Sequence, residues 1–260
     1  MDRSIMDNVR VIILAKSYKN GARCIAGKRC ESLPNNKVRV HEWVRPSLLN
    51  KAGEAIAPIT ESEYRYSNQG GHTQVLDIMD IPYASNCTVA GQPDNFVVEK
   101  NKGWAKSSRF RADCIFNIVD NPDDLWLDAR TTTQKVTKRY VDEGNVETSL
   151  YLIRPTEFQI TLSNEYNEWE ERYKRKALAS FNYNGTLYSG ISVTCPATRK
   201  MLKDNYPPEG GNAITQTLPD GDEYAIVLSL SPILESTQMH YKFVATIFDR
   251  DGVLQRDFKA

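Results

Sequence analysis

Histidine is scarce in this chain, and so are the residue patterns on which most catalytic and metal sites depend. Of its 260 residues only three are histidines, and none stands at metal-ligand spacing from another histidine or a cysteine. Five cysteines follow no regular spacing, which argues against a disulfide framework and a zinc site. Glycine-rich phosphate loops and a Gly-x-Ser-x-Gly motif are also missing. We therefore predict no catalytic residues, no metal and no organic cofactor.

Net charge and long apolar runs are missing as well. The 33 basic and 33 acidic side chains cancel, so any site for a polyanion must be a local patch. No apolar run approaches the ~18 residues of a membrane span, and the N-terminus has no signal-peptide core. Together with the irregular cysteines, these features predict a cytoplasmic protein that does not contact a membrane.

What the chain does have is short β-branched runs, separated by Gly, Pro, Asn and Asp. This pattern favours small β-barrels or sandwiches over βαβ units. Ten strands are predicted, at residues 9–16, 23–27, 38–44, 73–81, 96–100, 151–160, 178–184, 186–193, 224–230 and 241–250. A polar break near residues 140–147 divides the strands into two halves. We predict an all-β protein of two tandem barrels, at residues 1–140 and 148–260.

Two turns and two less regular segments add detail. Asn184-Gly185, between β-rich flanks, predicts a type I′ hairpin, because both residues tolerate positive φ. Residues 9–27 predict another hairpin, with a basic loop suited to an anion or simply exposed to solvent. Residues 164–176 are charged without an apolar stripe and predict a short exposed helix or a charged connection. Residues 195–202 predict a strand end that turns into one helical turn.

Aromatic and basic residues alternate at several points, as a binder of single-stranded nucleic acid requires. Trp104 lies between Gly103 and lysines, and we expect its ring to be an exposed stacking platform near Lys106. Residues 100–111 contain five basic side chains and no acid, which favours phosphate capture. Trp43 and Phe243 are expected in the core of their strands. Similar alternation occurs at residues 169–175 and 240–243.

Several phrases in the same order resemble the dual OB-fold family of bacterial proteins. They are VIILAKSYKNGARCIAG at residues 11–27, WVRP at 43–46, FNYNGTLYSGISVTCP at 181–196, and LSLSP with HYKFVATIF at 228–232 and 240–248. The chain departs from the family pattern at Ala22, where a glycine is expected, and at Cys195, where an aspartate is expected. The phrase at 228–232 also lacks the usual glycine and glutamate.

The resemblance implies that both barrels are OB-like and that they recognise nucleic acid or a nucleotide. The binding residues that it implies, together with the two from residues 100–111, are Lys16, Ser17, Lys19, Arg23, Trp43, Arg45, Trp104, Lys106, Tyr183, Tyr188, Tyr241 and Lys242. Lys242 shares a strand face with apolar residues, which predicts either a barrel mouth or a side chain that reaches out from a sheet edge.

The function expected from these observations is binding rather than catalysis. The ligand would be single-stranded nucleic acid or a nucleotide, and the chain would be a recognition or accessory module of a bacterial defence system, beside an effector protein encoded nearby. Two alternatives stay open. One is a protein–protein adaptor, which the zero net charge favours. The other is a nuclease or nucleotide hydrolase, which would need a histidine or carboxylate cluster from distant segments.

Overall fold

Two β-sheets follow one another in the computed structural model, which describes residues 8–19, 22–49, 55–87, 89–216, 218, 223–250 and 254. The first contains β1 (Asn8–Lys19), β2 (Ala22–Ser32), β3 (Val38–Leu49), β4 (Ala55–Ala57), β5 (Asp77–Asn86), β6 (Asn95–Val98) and β7 (Ala105–Arg109). The second contains β8 (Lys135–Thr137), β9 (Leu150–Ile153), β10 (Thr156–Asn167), β11 (Arg172–Tyr183), β12 (Thr186–Val193), β13 (Ile214–Gln216), β14 (Tyr224–Leu230) and β15 (Met239–Asp249).

The helical elements of the described ranges are short. They are α1 (Lys138–Asp142), α2 (Pro196–Met201) and two 3-10 turns, at Pro34–Asn36 and Ala112–Asn117. Strands account for 53% of the structure and helices for 9%, so the predicted all-β class is confirmed. The helical turn expected at residues 195–202 is α2. In the described part of the chain, no helix has the length and apolar character needed to cross a membrane.

The first sheet closes into a barrel. Its strand order is β1-β2-β3-β6-β5, and β5 pairs back with β1. The pair β3–β6 is parallel, with Arg45 opposite Asn95, whereas the other pairs around the barrel are antiparallel. A closed five-stranded barrel of this kind is the OB architecture.

The second sheet repeats that strand order, although the sequence holds no recognisable repeat. Its order is β10-β11-β12-β15-β14-β9, and β12 pairs in parallel with β15 as β3 does with β6. The strands β9 and β10 are consecutive, so together they take the place that β1 has in the first barrel. Pro155 lies between them and cannot donate to a strand ladder, which explains the interruption. The prediction of two OB-like units is confirmed.

The limits predicted for the two units stay predictions, but one pairing bears on them. The strand β8 lies before residue 140 and pairs with β15 of the second sheet, with His240 opposite Val136. The connecting segment also packs there, since the rings of Trp126 and Tyr151 stack at 4.7 Å. Part of the segment after β7 thus packs on the second sheet.

The strand β1 is buried on both faces, and this explains its unbroken apolar run. Val11 and Ile13 lie in a cluster inside the first barrel. Ile12 and Leu14 point to the opposite face, as the alternation of a strand requires, and belong to the larger cluster that continues into the second sheet. Burial on both faces gives continuous rather than alternating hydrophobicity. The two units therefore share the larger cluster, while the first barrel keeps a second cluster of its own.

Two predictions about local structure had different outcomes. The Asn184-Gly185 turn is confirmed, with φ of +47° and +78° at these residues. The prediction for residues 164–176 was wrong, because they form the paired ends of β10 and β11 with Tyr166 opposite Tyr173. Charged residues on both faces of these strand ends hide the period of two that would have identified them.

Asp120 links the two units through both of its carboxylate oxygens. Oδ1 accepts a hydrogen bond from the ammonium of Lys28 on β2 at 2.6 Å. Oδ2 accepts from Trp43 Nε1 on β3 at 2.8 Å and from the backbone N–H of Leu152 on β9 at 2.7 Å. Lys28 is 5% exposed, so this carboxylate is its buried counter-ion.

Replacing Asp120 by alanine is expected to lower the free energy of unfolding by about 3 kcal/mol, because Lys28 would keep a buried charge without its counter-ion. Chemical denaturation measures this change. Asp123→Ala removes the same charge from an exposed position of the same segment and is the matched control, with an expected change below about 0.5 kcal/mol. Equal effects of the two substitutions would contradict the linking role of Asp120.

Candidate nucleic-acid interface

Residues 9–27 form the predicted β1–β2 hairpin, but the side chain of Lys16 is partly buried against the protein. Ser17 lies opposite Cys24, and Lys19 lies opposite Ala22. Lys16 Nζ donates to the carbonyl of Thr73 at 2.7 Å and lies 4.7 Å from the centre of the Tyr64 ring. Burial lowers the pKa of Lys16 to about 8. The side chain of Lys19 and residues 20–21 lie outside the described residues.

Three of the predicted residues meet on one cavity wall. Ser17, Arg23 and Arg45 line a cavity of about 380 Å³ between the two units. Lys16 and Arg23 line a neighbouring cavity, together with Lys200 in the last turn of α2. The first and second motifs of the family pattern are therefore brought together at the junction of the units.

The predicted role of residues 100–111 as an exposed patch is not supported by their surroundings. Trp104 is 1% exposed and belongs to the core of the first barrel, so the expectation of an exposed ring was wrong. Lys106 pairs with the buried Asp77 at 2.7 Å, and Arg109 approaches the same carboxylate at 3.4 Å. Arg111 pairs with Asp113. Neighbouring acids thus balance much of this positive charge.

The other predicted aromatic residues are mostly structural. Trp43 and Tyr188 are buried. Tyr183, also buried, donates from its hydroxyl to the carbonyl of Pro122 at 2.9 Å, and Tyr188 accepts from the backbone N–H of Leu125 at 3.0 Å. These two tyrosines fasten the connecting segment to the second sheet. Tyr241 is half-buried.

Lys242 lies inside the second unit, so neither expected position was right. It is 2% exposed, and its Nζ donates to the carbonyl of Thr133 at 2.7 Å. The ring of Tyr188 lies 5.4 Å below the same nitrogen. Burial lowers the pKa of Lys242 to about 7, against the attraction of Asp124 and Asp128.

The strongest exposed aromatic surface lies elsewhere, at the tip of the β10–β11 hairpin. Trp169 is 96% exposed, Tyr166 is 54% exposed and Tyr173 is 39% exposed. The two tyrosines face each other across the strands, with ring centres 5.4 Å apart. We call Tyr166, Trp169 and Tyr173 the aromatic tip. Sequence analysis noted the alternation at residues 169–175 but did not place these residues in the site.

Basic side chains flank the aromatic tip on both faces of the hairpin. On the face of Tyr173, Arg175 donates to the carbonyl of Lys203 at 3.2 Å and lies 5.4 Å from the centre of the Tyr206 ring. The other face carries three basic residues that pair with acids, in the pairs Arg172–Glu170, Lys174–Glu170 and Lys176–Glu165. In the described part of the hairpin, Arg175 is the basic residue without a carboxylate partner.

The corresponding surface of the first barrel is less suited to bind a nucleic-acid strand. On β2 and β3, Arg29 pairs with Glu42 at 2.7 Å. Glu31 lies 3.8 Å from Arg39 and 3.2 Å from His41. Exposed ion pairs leave little net field for phosphate. By its place in the strand order, β10–β11 corresponds to the β1–β2 hairpin of an OB barrel, one of the loops that contact oligonucleotides.

The pH dependence of stability provides a test of the buried Lys242. The unfolded chain keeps this proton up to about pH 10.5, whereas the folded protein releases it near pH 7. Stability should therefore rise with pH between these values, by at most about 1.4 kcal/mol per pH unit for one proton. Lys242→Met removes the charge at similar length and should flatten the rise. Parallel unfolding profiles of the two proteins would contradict the buried position.

Comparison with known families agrees with this architecture. The family model described as the dual OB-containing domain matches residues 9–247, which is most of the chain. No curated protein and no solved structure matches the chain. An architecture of two OB-like units in tandem is a fold of the nucleic-acid-binding type. The chain belongs to the dual OB-containing domain family.

Proposed function

We propose that this protein binds single-stranded nucleic acid through the aromatic tip of its second OB-like unit. The observation that carries the proposal is Trp169, a large ring that is 96% exposed at the end of a hairpin, with two tyrosines beside it. Stacking on such rings contributes about 1–3 kcal/mol per base and tolerates every sequence, since each base has a π face. Sequence-tolerant binding follows from this chemistry.

The hairpin also supplies charge at the places where a strand would run. Arg175 places a positive charge beside Tyr173. On the other face, Lys174 and Lys176 would bind a phosphate in place of their carboxylate partners. The segment 165–176 carries four acidic and four basic residues. We therefore expect modest affinity with a shallow salt dependence, unlike the steep dependence of a strongly basic groove.

A recognition role in a bacterial defence system, beside a separate effector, completes the proposal. It is supported by the family resemblance rather than by a contact in the molecule. The hairpin would hold the strand while the partner acts. Co-purification with proteins encoded nearby, with and without added nucleic acid, tests this part.

The test of strand binding is fluorescence anisotropy with labelled single-stranded DNA, single-stranded RNA and duplex DNA over a salt series. Trp169→Ala is expected to weaken binding of the preferred single strand by about 5-fold to 150-fold, which corresponds to the loss of one stacked base. Leu187→Ala is the matched control, because Leu187 is 60% exposed on β12, opposite Asn182 at the far end of β11.

Three results would decide the proposal. Single-strand binding that falls with Trp169→Ala and not with Leu187→Ala supports it. Binding that is insensitive to Trp169 rejects the aromatic tip as the contact. No binding of any nucleic acid at low salt rejects the function and favours the protein–protein adaptor.

A further inference from the structure

The cavity between the two units is lined by strands of both. The first unit supplies Arg45 and Ser47 from β3, and Asn95 from β6. The second unit supplies Ser229 from β14 and Phe243 from β15. Leu234, at 48% exposure, also lines the cavity and connects it with solvent. The volume of about 380 Å³ lies within the range of about 300–1,000 Å³ typical of small-molecule sites.

Arg45 is a buried cation that forms no ion pair with the residues that the structure describes. It is 7% exposed, and Nη2 donates hydrogen bonds to Ser149 Oγ at 2.9 Å and Ser229 Oγ at 3.3 Å. Its buried Nε has no acceptor among the described residues. Asp94 attracts Arg45, but its carboxylate accepts from Thr148 Oγ1 at 2.6 Å and from the Ser149 N–H at 2.9 Å.

Three other polar side chains on the wall, those of Ser47, Asn95 and Gln92, form a hydrogen-bond network. Ser47 Oγ donates to Asn95 Oδ1 at 2.7 Å, and Asn95 Nδ2 donates to the carbonyl of Gln92 at 2.7 Å. Gln92 Nε2 donates to the carbonyl of Leu230 at 2.8 Å, which joins the two units. This network holds the wall in place and leaves the guanidinium with spare donor capacity. A fixed wall reduces the entropic cost of binding.

The rest of the lining is largely apolar. Ile25 and Pro46 come from the first unit, and Ile233, Phe243 and Ala245 come from the second. A ligand that fits must combine a negative head with an apolar body. A guanidinium fork binds oxyanions such as phosphate and carboxylate through two parallel hydrogen bonds.

We propose that this cavity binds a small organic anion, with its oxyanion head at Arg45 and its apolar body against Pro46 and Phe243. The site is separate from the aromatic tip and does not depend on the proposed strand binding. It makes the junction of the two units a ligand site, formed only when both units are in their packed arrangement.

The first test uses calorimetric titration of the unmodified protein with four probes: phenyl phosphate, benzoate, inorganic phosphate and phenol. At least one of the two aromatic anions should bind about tenfold or more tightly than both inorganic phosphate and phenol, since a charged hydrogen bond and the apolar contact each contribute. The comparison of phenyl phosphate with benzoate identifies the head group. Failure of both aromatic anions to bind at millimolar concentration, or equal binding of phenol, would overturn the proposal.

Variants then locate the bound anion. Arg45→Gln should lower the affinity for the aromatic anion by about tenfold or more. Arg29→Gln, on the surface of the first barrel, should leave that affinity unchanged. Because Arg45 also contacts the second unit, Phe243→Ala is the second variant. This substitution should lower the affinity for the aromatic anion and leave the affinity for inorganic phosphate unchanged. Unchanged affinity in the folded variants would place the ligand elsewhere and overturn the proposal.

The two proposals fail separately. A protein that binds single strands but none of the small anions contradicts the cavity proposal alone. A protein that binds an aromatic anion but no strand contradicts the strand-binding proposal alone.

Discussion

The carboxylate of Asp120 is the contact on which the arrangement of the two units depends. It joins β2 and β3 of the first barrel to β9 of the second sheet, and it balances a lysine that has almost no access to water. The hydrogen bonds of Arg45 to Ser149 and of Gln92 to the Leu230 carbonyl hold the same junction from another side. A cavity with walls from both units has a defined shape only because these contacts fix their relative position.

Much of this fold could be predicted because strand patterns are local. Each of the ten predicted strands overlaps an observed one, and the Asn184-Gly185 turn follows from the φ values that these residues tolerate. Even the continuous apolar run of β1 has a local signal, since burial on both faces removes the alternation. The short strands β4, β7, β8 and β13 were not predicted, because a strand of three to five residues carries too little pattern.

The site was harder to predict, because the exposure of a side chain depends on how the sheets close and pack. Trp104 and Trp169 both lie in polar, charged sequence, yet the first is 1% exposed and the second 96%. Pairing of distant segments decides the difference: Trp104 bridges to Tyr66 and fills the barrel, whereas Trp169 lies at a hairpin tip. Lys242 shows the same limit, since its acceptor is the carbonyl of Thr133, far away in sequence.

The exposed aromatic rings lie on the β10–β11 hairpin of the second unit, and they locate the proposed interface. Ultraviolet cross-linking of the protein to a labelled single strand, followed by peptide mapping, tests that location most directly. The account predicts cross-links within residues 166–173, at the aromatic tip. Cross-links confined to β2 and β3 of the first barrel, with none on the β10–β11 hairpin, would contradict it.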